Sequence, residues 1–436
     1  MLALIDLTDR QLDDYAGVLP RGRFDVDQAV AAVQPICDAV RDEGRQALAR
    51  FSEQFDHVVP EHFRVPAQAL SDALASLDGQ VRRAIELSID RRRAVCEAIE
   101  AEQPWRSVEL APGAVIGNML VPVDRVGLYV PGGLAPLASS VVMNVVPAQV
   151  AGVGSLAVAT PPQAEFNGLP HPVTLATCEL LGVEEVYAVG GAQAVAMFAH
   201  GVAGLCKPVD MVTGPGNIYV VAAKRHLRGL IGIDAEAGPT EIAVLADEGA
   251  DPRYVAADLI SQAEHDPMAG SVLITPSRTL AEAVNSEIAA QVDRLATADR
   301  LRLALSGEQS AIVLVADLEQ GIQVTNAYAA EHLEIQTADA GAIARRIRNA
   351  GAIFIGPNSP VPLGDYSAGS THVLPTGGAA RYSSGLTVRS FLRSIHVIEY
   401  DRQALGEVGE RVQVFAIAER LPGHANAIAV RLEEQQ

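Results

Sequence analysis

At 436 residues the chain is longer than one ordinary domain, and two or three compact units are expected. Its apolar content of 49% suffices for sizeable cores; with aromatics at only 4%, those cores are built from Ala, Val, Leu and Ile, the profile of parallel sheets covered by helices. The formal net charge of -20 excludes a nucleic-acid partner, because phosphates repel such a surface, and favours a dispersed cytoplasmic protein.

Residues 1–10 hold no basic region followed by an apolar run, so no signal peptide is expected. Over residues 25–103, Val33, Ile36, Val40, Leu48 and Phe51 recur at spacings near 3.6, which predicts helices. The basic run ending in Arg91-Arg92-Arg93 reads as a solvated helix face. A short β excursion is expected over 105–123. Strand and helix then alternate: strands at 125–130, 155–160, 185–189 and 209–213, helices at 139–150, 174–181, 192–200 and 218–227. Residues 126–164 carry no charge, but Pro131, Gly132, Gly133, Pro136, Pro147 and Gly154 break them up. They form the centre of a buried sheet, with no membrane span. A second alternation follows, with strands at 241–246, 271–275, 311–315, 333–336 and 352–355. Its helices fall at 252–264, 280–295, 318–330 and 339–347. The tail, 377–436, shows helices near 388–394, 404–419 and 424–432.

The fold expected is therefore α/β, with two tandem, incomplete Rossmann-like parallel-sheet domains. An N-terminal helical segment (1–112) packs on the second sandwich, the two sandwiches span 113–236 and 237–376, and a helical tail closes the chain. Cys37, Cys96, Cys178 and Cys206 are scattered and read as reduced, buried thiols. Two of the 33 basic residues are lysines, Lys207 and Lys224, an imbalance read as codon usage without bearing on mechanism.

The chemistry-bearing stretches are five. The dinucleotide fingerprint G-x-G-x-x-G is absent, but Tyr129-Val130-Pro131-Gly132-Gly133, Gly190-Gly191-Ala192-Gln193 and Gly214-Pro215-Gly216-Asn217 each stand where a strand hands over to a helix. Glycine lets a ligand approach the backbone there, and helix N-termini attract phosphate. Three such turns at successive strand ends converge on one sheet edge, where ligands bind in such folds. Second, Asp251-Pro252 starts a helix that Pro267 stops, so Gln262 and His265 share one face at its C-terminus, where partial negative charge favours a cation. They are half of a metal site; alone, a histidine such as His265 near a helix end is more often a surface residue than a ligand. Third, Glu331-His332 pairs two proton acceptors at a helix-to-strand junction. Fourth, the loop 364–378 is glycine-rich and carries Asp365 and His372. The fifth stretch, Glu419 to His424, by itself reads as solvated helix.

Together these motifs, in this order and over nearly the whole chain, resemble the histidinol dehydrogenase family. The resemblance implies two NAD-linked oxidations at one site, carrying L-histidinol through the aldehyde to L-histidine. By position, Gln262, His265, Asp365 and His424 match the ligands of one Zn2+ per subunit. Glu331 and His332 match the catalytic bases, and Tyr129, Gln193 and Asn217 the NAD contacts. Thr240, Glu419, the metal-ligand positions and His332 match substrate contacts, with His372 close by. The family implies a homodimer whose active sites are shared, with the tail exchanged between subunits. Three positions depart from the pattern: Thr240 in place of Ser, Thr371 in place of Asn, and Gln149 in place of Lys. Two other readings remain: a paralogous zinc and NAD dehydrogenase of another small polyol or amino alcohol, and a non-catalytic metal or nucleotide binder. His372 together with Glu419 favours an imidazole-bearing substrate over the first; Glu331 with His332 argues against the second.

Overall fold

The computed structural model describes residues 2–22, 26–132, 136–235 and 238–433; Gly133 of the first glycine turn lies outside them. The strands are β1 (Ala3–Asp6), β2 (Trp105–Ala111), β3 (Ala114–Pro122), β4 (Arg125–Tyr129), β5 (Ser155–Thr160), β6 (Glu185–Ala188) and β7 (Met211–Thr213). There follow β8 (Gly232–Ile233), β9 (Glu241–Ala246), β10 (Gly270–Thr275), β11 (Ala311–Leu314), β12 (His332–Gln336), β13 (Ala352–Ile355) and β14 (Leu392–Tyr400).

Two parallel sheets form, as the alternation predicts. The first runs β6-β5-β4-β7-β8 and the second β1-β11-β10-β9-β12-β13. Counted from β4 and from β9, both follow the order 3-2-1-4-5, so the chain builds the same half-Rossmann topology twice. The strand order reverses between β4 and β7 in the first sheet and between β9 and β12 in the second. Strands β9, β10 and β11 are buried throughout, as expected of strands covered on both faces.

Three expectations about the elements are corrected, and a fourth about the basic run follows. Residues 3–6 form β1, a parallel edge strand of the second sheet, within a stretch read only for a leader. The N-terminal helices pack on the first sandwich instead of the second: helix Val26–Glu43 lies against Gly191–His200 and Ile218–Leu227, Ala67–Ser76 against Pro172–Leu180, and Gly79–Val95 against Ala138–Ala151. Ala29, Val33, Cys37 and Val40 give the first of these a buried stripe that merges with Val195, Phe198 and Val220. The stripe is visible in the sequence, but its partner is not. In the tail, residues expected to be helical near 388–394 make one short turn, Val388–Phe391, and then enter β14. Ile395 and Val397 alternate with polar residues along this strand, the period-two pattern of a half-covered sheet. Strand β14 pairs antiparallel with β3, and β3 with β2. Two helices, Arg402–Ala418 and Pro422–Leu432, then pack on each other.

The Arg91-Arg92-Arg93 run is not uniformly solvated. Arg92 is fully buried, its fork bonded two-for-two to the Glu100 carboxylate at 2.6 and 3.1 Å, with a further bond to the Gly369 carbonyl at 3.1 Å. It ties the N-terminal helices to the loop carrying Asp365 and His372. Among the described residues no helix is long and apolar enough to cross a membrane.

Candidate active site

A cavity of about 690 Å³ opens between the carboxyl edge of the first sheet and the amino edge of the second. From the first sheet it is lined by Pro131, Ser139 and Ser140 after β4, and by Pro215, Gly216 and Asn217 after β7. From the second it is lined by Thr240 and Glu241 at the start of β9, and by Glu331 and His332 at the start of β12. His265, Asp365 and His372 complete it. The two walls differ electrostatically. Helices that follow parallel strands begin at the carboxyl edge and end at the amino edge. The first sheet therefore turns helix N-termini to the cavity, which favours phosphate, and the second turns helix C-termini, which favours a cation.

On the first wall, Tyr129 accepts a hydrogen bond from the Gly191 N–H at 3.1 Å. Asn217 caps helix Ile218–Leu227 by accepting from the Tyr219 and Val220 N–H groups at 3.1 and 3.2 Å. Gly214 has a φ of 113°, and a Cβ there would collide with the Tyr129 carbonyl oxygen, so only glycine fits. Of the three expected dinucleotide contacts, Asn217 lines the cavity; Tyr129 and Gln193 are buried and do not line it. Burial raises the Tyr129 phenol to about 12, so it stays protonated at any working pH.

On the second wall the side chains form a chain of contacts. Thr240 Oγ1 donates to Glu331 Oε2 at 2.5 Å and accepts from Gln262 Nε2. The Glu241 N–H donates to the same Glu331 oxygen at 3.0 Å. Burial outweighs these two bonds and raises the Glu331 carboxyl to about 7, poising it to exchange a proton near neutrality. His332 Nδ1 stands 3.6 Å from Glu331 Oε2. Burial lowers the His332 pKa, which keeps the ring neutral and able to accept a proton. His372, lowered for the same reason, places Nε2 at 3.0 Å from Ser140 Oγ and Nδ1 at 3.7 Å from Asp365 Oδ1.

The donors fit a metal ion. Gln262 spends its amide nitrogen on Thr240, and its Oε1 is left buried without a partner. An orphaned amide oxygen costs about 1–3 kcal/mol, a penalty that a bound cation would remove. His265 and Asp365 open onto the same cavity. One amide oxygen, one imidazole and one carboxylate make a mixed set suited to zinc, one ligand short of a tetrahedron.

Glu419 and His424 are not brought there. Both are exposed on the C-terminal pair of helices, and neither lines the cavity. The departures are accommodated: Thr240 keeps the hydroxyl that links Gln262 to Glu331, and Thr371 Oγ1 accepts the Val373 N–H at 3.1 Å, holding the turn behind His372. Gln149 bonds Arg93 at 2.8 Å. Three cavity residues were missed. Glu241, which burial raises to about 7, had a signal in the sequence: one acid at the head of an otherwise apolar strand. Ser140 and Arg21 had none, since their partners His372 and Tyr328 lie hundreds of residues away.

A sequence model of the family described as histidinol dehydrogenase matches residues 19–432. The histidinol dehydrogenase of Cutibacterium acnes is 65% identical over 436 residues, covering 99% of each chain. That of Thermobifida fusca is 60% identical over 438 residues, covering 100% of this chain and 99% of its own. The crystal structure of histidinol dehydrogenase from Elizabethkingia anophelis superimposes with a TM-score of 0.91 at 29% identity, covering 99% of this chain and 98% of that one.

Proposed function

The chain belongs to the histidinol dehydrogenase family, NAD-dependent enzymes that oxidise histidinol to histidine in histidine biosynthesis, and from that premise we propose how its residues divide the work. The observation that carries the reading is the pairing of Glu331 and His332 at the head of β12, buried, 3.6 Å apart and facing a cavity shared with the glycine turns. His332 takes the hydroxyl proton of the alcohol; NAD, when bound on the first wall, would accept the hydride. Glu331 takes the proton of the water that hydrates the aldehyde, and the hydrate then loses the second hydride. Thr240 and the Glu241 N–H hold the Glu331 carboxylate in place for this. Asn217, with Tyr129 and Gln193 behind it, seats NAD on the first wall. Thr240, His372 and the metal-ligand positions hold histidinol on the second.

Gln262, His265 and Asp365 would hold one zinc ion per subunit, with His424 of the partner subunit as fourth ligand. When bound, the ion would supply a Lewis-acidic centre that orients the substrate more than it activates water. The support for a second subunit is a surface left open in one chain. Val414, Phe415 and Ile417 on helix Arg402–Ala418 and Ile398 on β14 are all more than half exposed, Ile398 to 72%. Apolar patches of this kind mark interfaces. In a homodimer the partner covers this face of the tail, and the tail carries Glu419 and His424 to the partner's cavity. The enzyme works in the cytoplasm.

The test is a steady-state assay of L-histidinol with NAD in zinc-replete enzyme, counting NADH against histidine. About two NADH per histidine are expected; no NADH at all overturns the reading. For the metal, His265→Asn is expected to lose bound zinc in elemental analysis while its far-ultraviolet circular dichroism is unchanged. Zinc kept at one per subunit in that variant removes His265 from the ligand set.

A further inference from the structure

Lys224 is one of two lysines in a chain that otherwise uses arginine, and it is 2% exposed. It sits on helix Ile218–Leu227 and does not line the cavity. Its ammonium is ion-paired with Asp234 and donates to the Gly214 carbonyl at 3.0 Å. The other oxygen of Asp234 accepts the Gly214 N–H at 2.8 Å. Both backbone polar groups of Gly214 are therefore held by one buried ion pair. That glycine begins the turn ending in Asn217, and it packs against the Tyr129 carbonyl, while the Tyr129 hydroxyl holds Gly191. The pair thus sets a turn that is in contact with the first glycine turn at Tyr129 and, through the Tyr129 hydroxyl, with the second.

We infer that Lys224 and Asp234 are positioning residues for NAD, fixing the turn 214–217 in the shape that receives the dinucleotide. This rests on the reading of the first wall, with its turn 214–217, as the seat of NAD. The residue type supports it. A buried ion pair adds little to stability over a well-packed apolar pair, so stability alone is a poor reason to keep one. Geometry explains the lysine. Arg92 shows what a buried guanidinium needs here, a carboxylate met two-for-two by its planar fork. Lys224 instead meets a single carbonyl and a carboxylate already committed to an N–H, a place for a compact point donor that a fork does not fill. Lysine is scarce in this chain, and its presence at 224 is set by this site.

The test uses full-length, zinc-replete enzyme and four variants: Lys224→Met, Lys224→Arg, the double variant Lys224→Met/Asp234→Leu, and Asn217→Ala. KM for NAD, KM for histidinol and kcat are measured together with NADH affinity by fluorescence titration and Tm. Lys224→Met and Lys224→Arg are expected to weaken NAD and NADH by ~10-fold, the equivalent of one buried hydrogen bond to a charged group, with histidinol KM within ~2-fold of the parent. The double variant leaves no charge buried alone, so its Tm recovers, yet NADH affinity stays low. It also carries the test if Lys224→Met does not fold. NADH affinity within ~2-fold of the parent in the double variant overturns the inference, as does a parallel rise in histidinol KM. If Asn217→Ala weakens NADH and the lysine variants do not, the clamp fails while the cofactor reading stands. If the lysine variants weaken NADH and Asn217→Ala does not, the clamp stands and Asn217 is not the contact.

Discussion

Replacing Glu331 with glutamine is expected to lower oxidation of the aldehyde by roughly a thousandfold while oxidation of the alcohol falls by about tenfold or less, the range of a lost general base against a neighbouring perturbation. Glutamine keeps the size of the side chain and can still meet Thr240 and the Glu241 N–H through its oxygen, so the wall of the cavity is retained. What is lost is the proton acceptor for the attacking water. The pH profile provides a second reading. Burial raises Glu331 to about 7, and the base is the ionised form. Aldehyde oxidation by the parent enzyme should therefore rise as pH increases through about 7, and Glu331→Gln should lose that limb. His332→Asn is expected to slow both half-reactions, because burial keeps His332 neutral and it serves the hydroxyl proton in each. Rates on histidinol and on histidinal, measured separately for each variant, decide the matter. An equal loss on both substrates in Glu331→Gln removes the residue from the hydration step.

Mixing two dead variants is expected to restore activity from nothing. His265→Asn and His424→Ala each lack a metal ligand in every site of their own homodimers. If His424 reaches the partner's cavity, a heterodimer has one site with all four ligands and one lacking two. With random pairing, half of the dimers are mixed, so co-refolded samples should regain about a quarter of the parent activity. The structure motivates the experiment directly. His265 and Asp365 line the cavity and Gln262 is buried against its Thr240, whereas His424 stands exposed on a pair of helices that pack chiefly on each other and expose Phe415 to 68%. No recovery after co-refolding, with each parent variant refolding to native circular dichroism, shows that all ligands come from one chain and that the exposed face has another use. Bound zinc is expected to track activity in the mixture.

The local signals in the sequence were mostly sound, and the failures share a cause. Asp251-Pro252 opens a helix in the structure as read, with the Asp251 side chain accepting from the Arg253 N–H at 2.9 Å, and Gln262 and His265 come at its end. The glycine turns fall where strands meet helices, because Gly214 must adopt a positive φ that no other residue tolerates against Tyr129. By contrast, the head of β14, residues 392–394, was taken for helix because the seven residues 388–394 are of mixed polarity and fit either period, and pairing with β3 decided between them. Arg92 was taken for solvent-facing because a basic residue is buried only when a distant partner meets it; its partners include carbonyls of residues 369 and 386.

By itself, then, the sequence determined what is local: the α/β alternation, the turns, the caps and the residue types able to move protons, grip a metal or approach a phosphate. Periodicity and turn chemistry act over a few residues and can be read in one dimension. Only the tertiary structure decided that the first sheet meets the cavity with its carboxyl edge and the second with its amino edge. That opposition brings Asn217 and Glu331 to one space and gives each wall its own sign of helix dipole. It also decided which sandwich the N-terminal helices cover, and that Lys224 and Asp234 are buried together behind a glycine. These depend on contacts between residues far apart in the chain, whose pairing is fixed by the burial of whole faces and leaves no mark at either position alone.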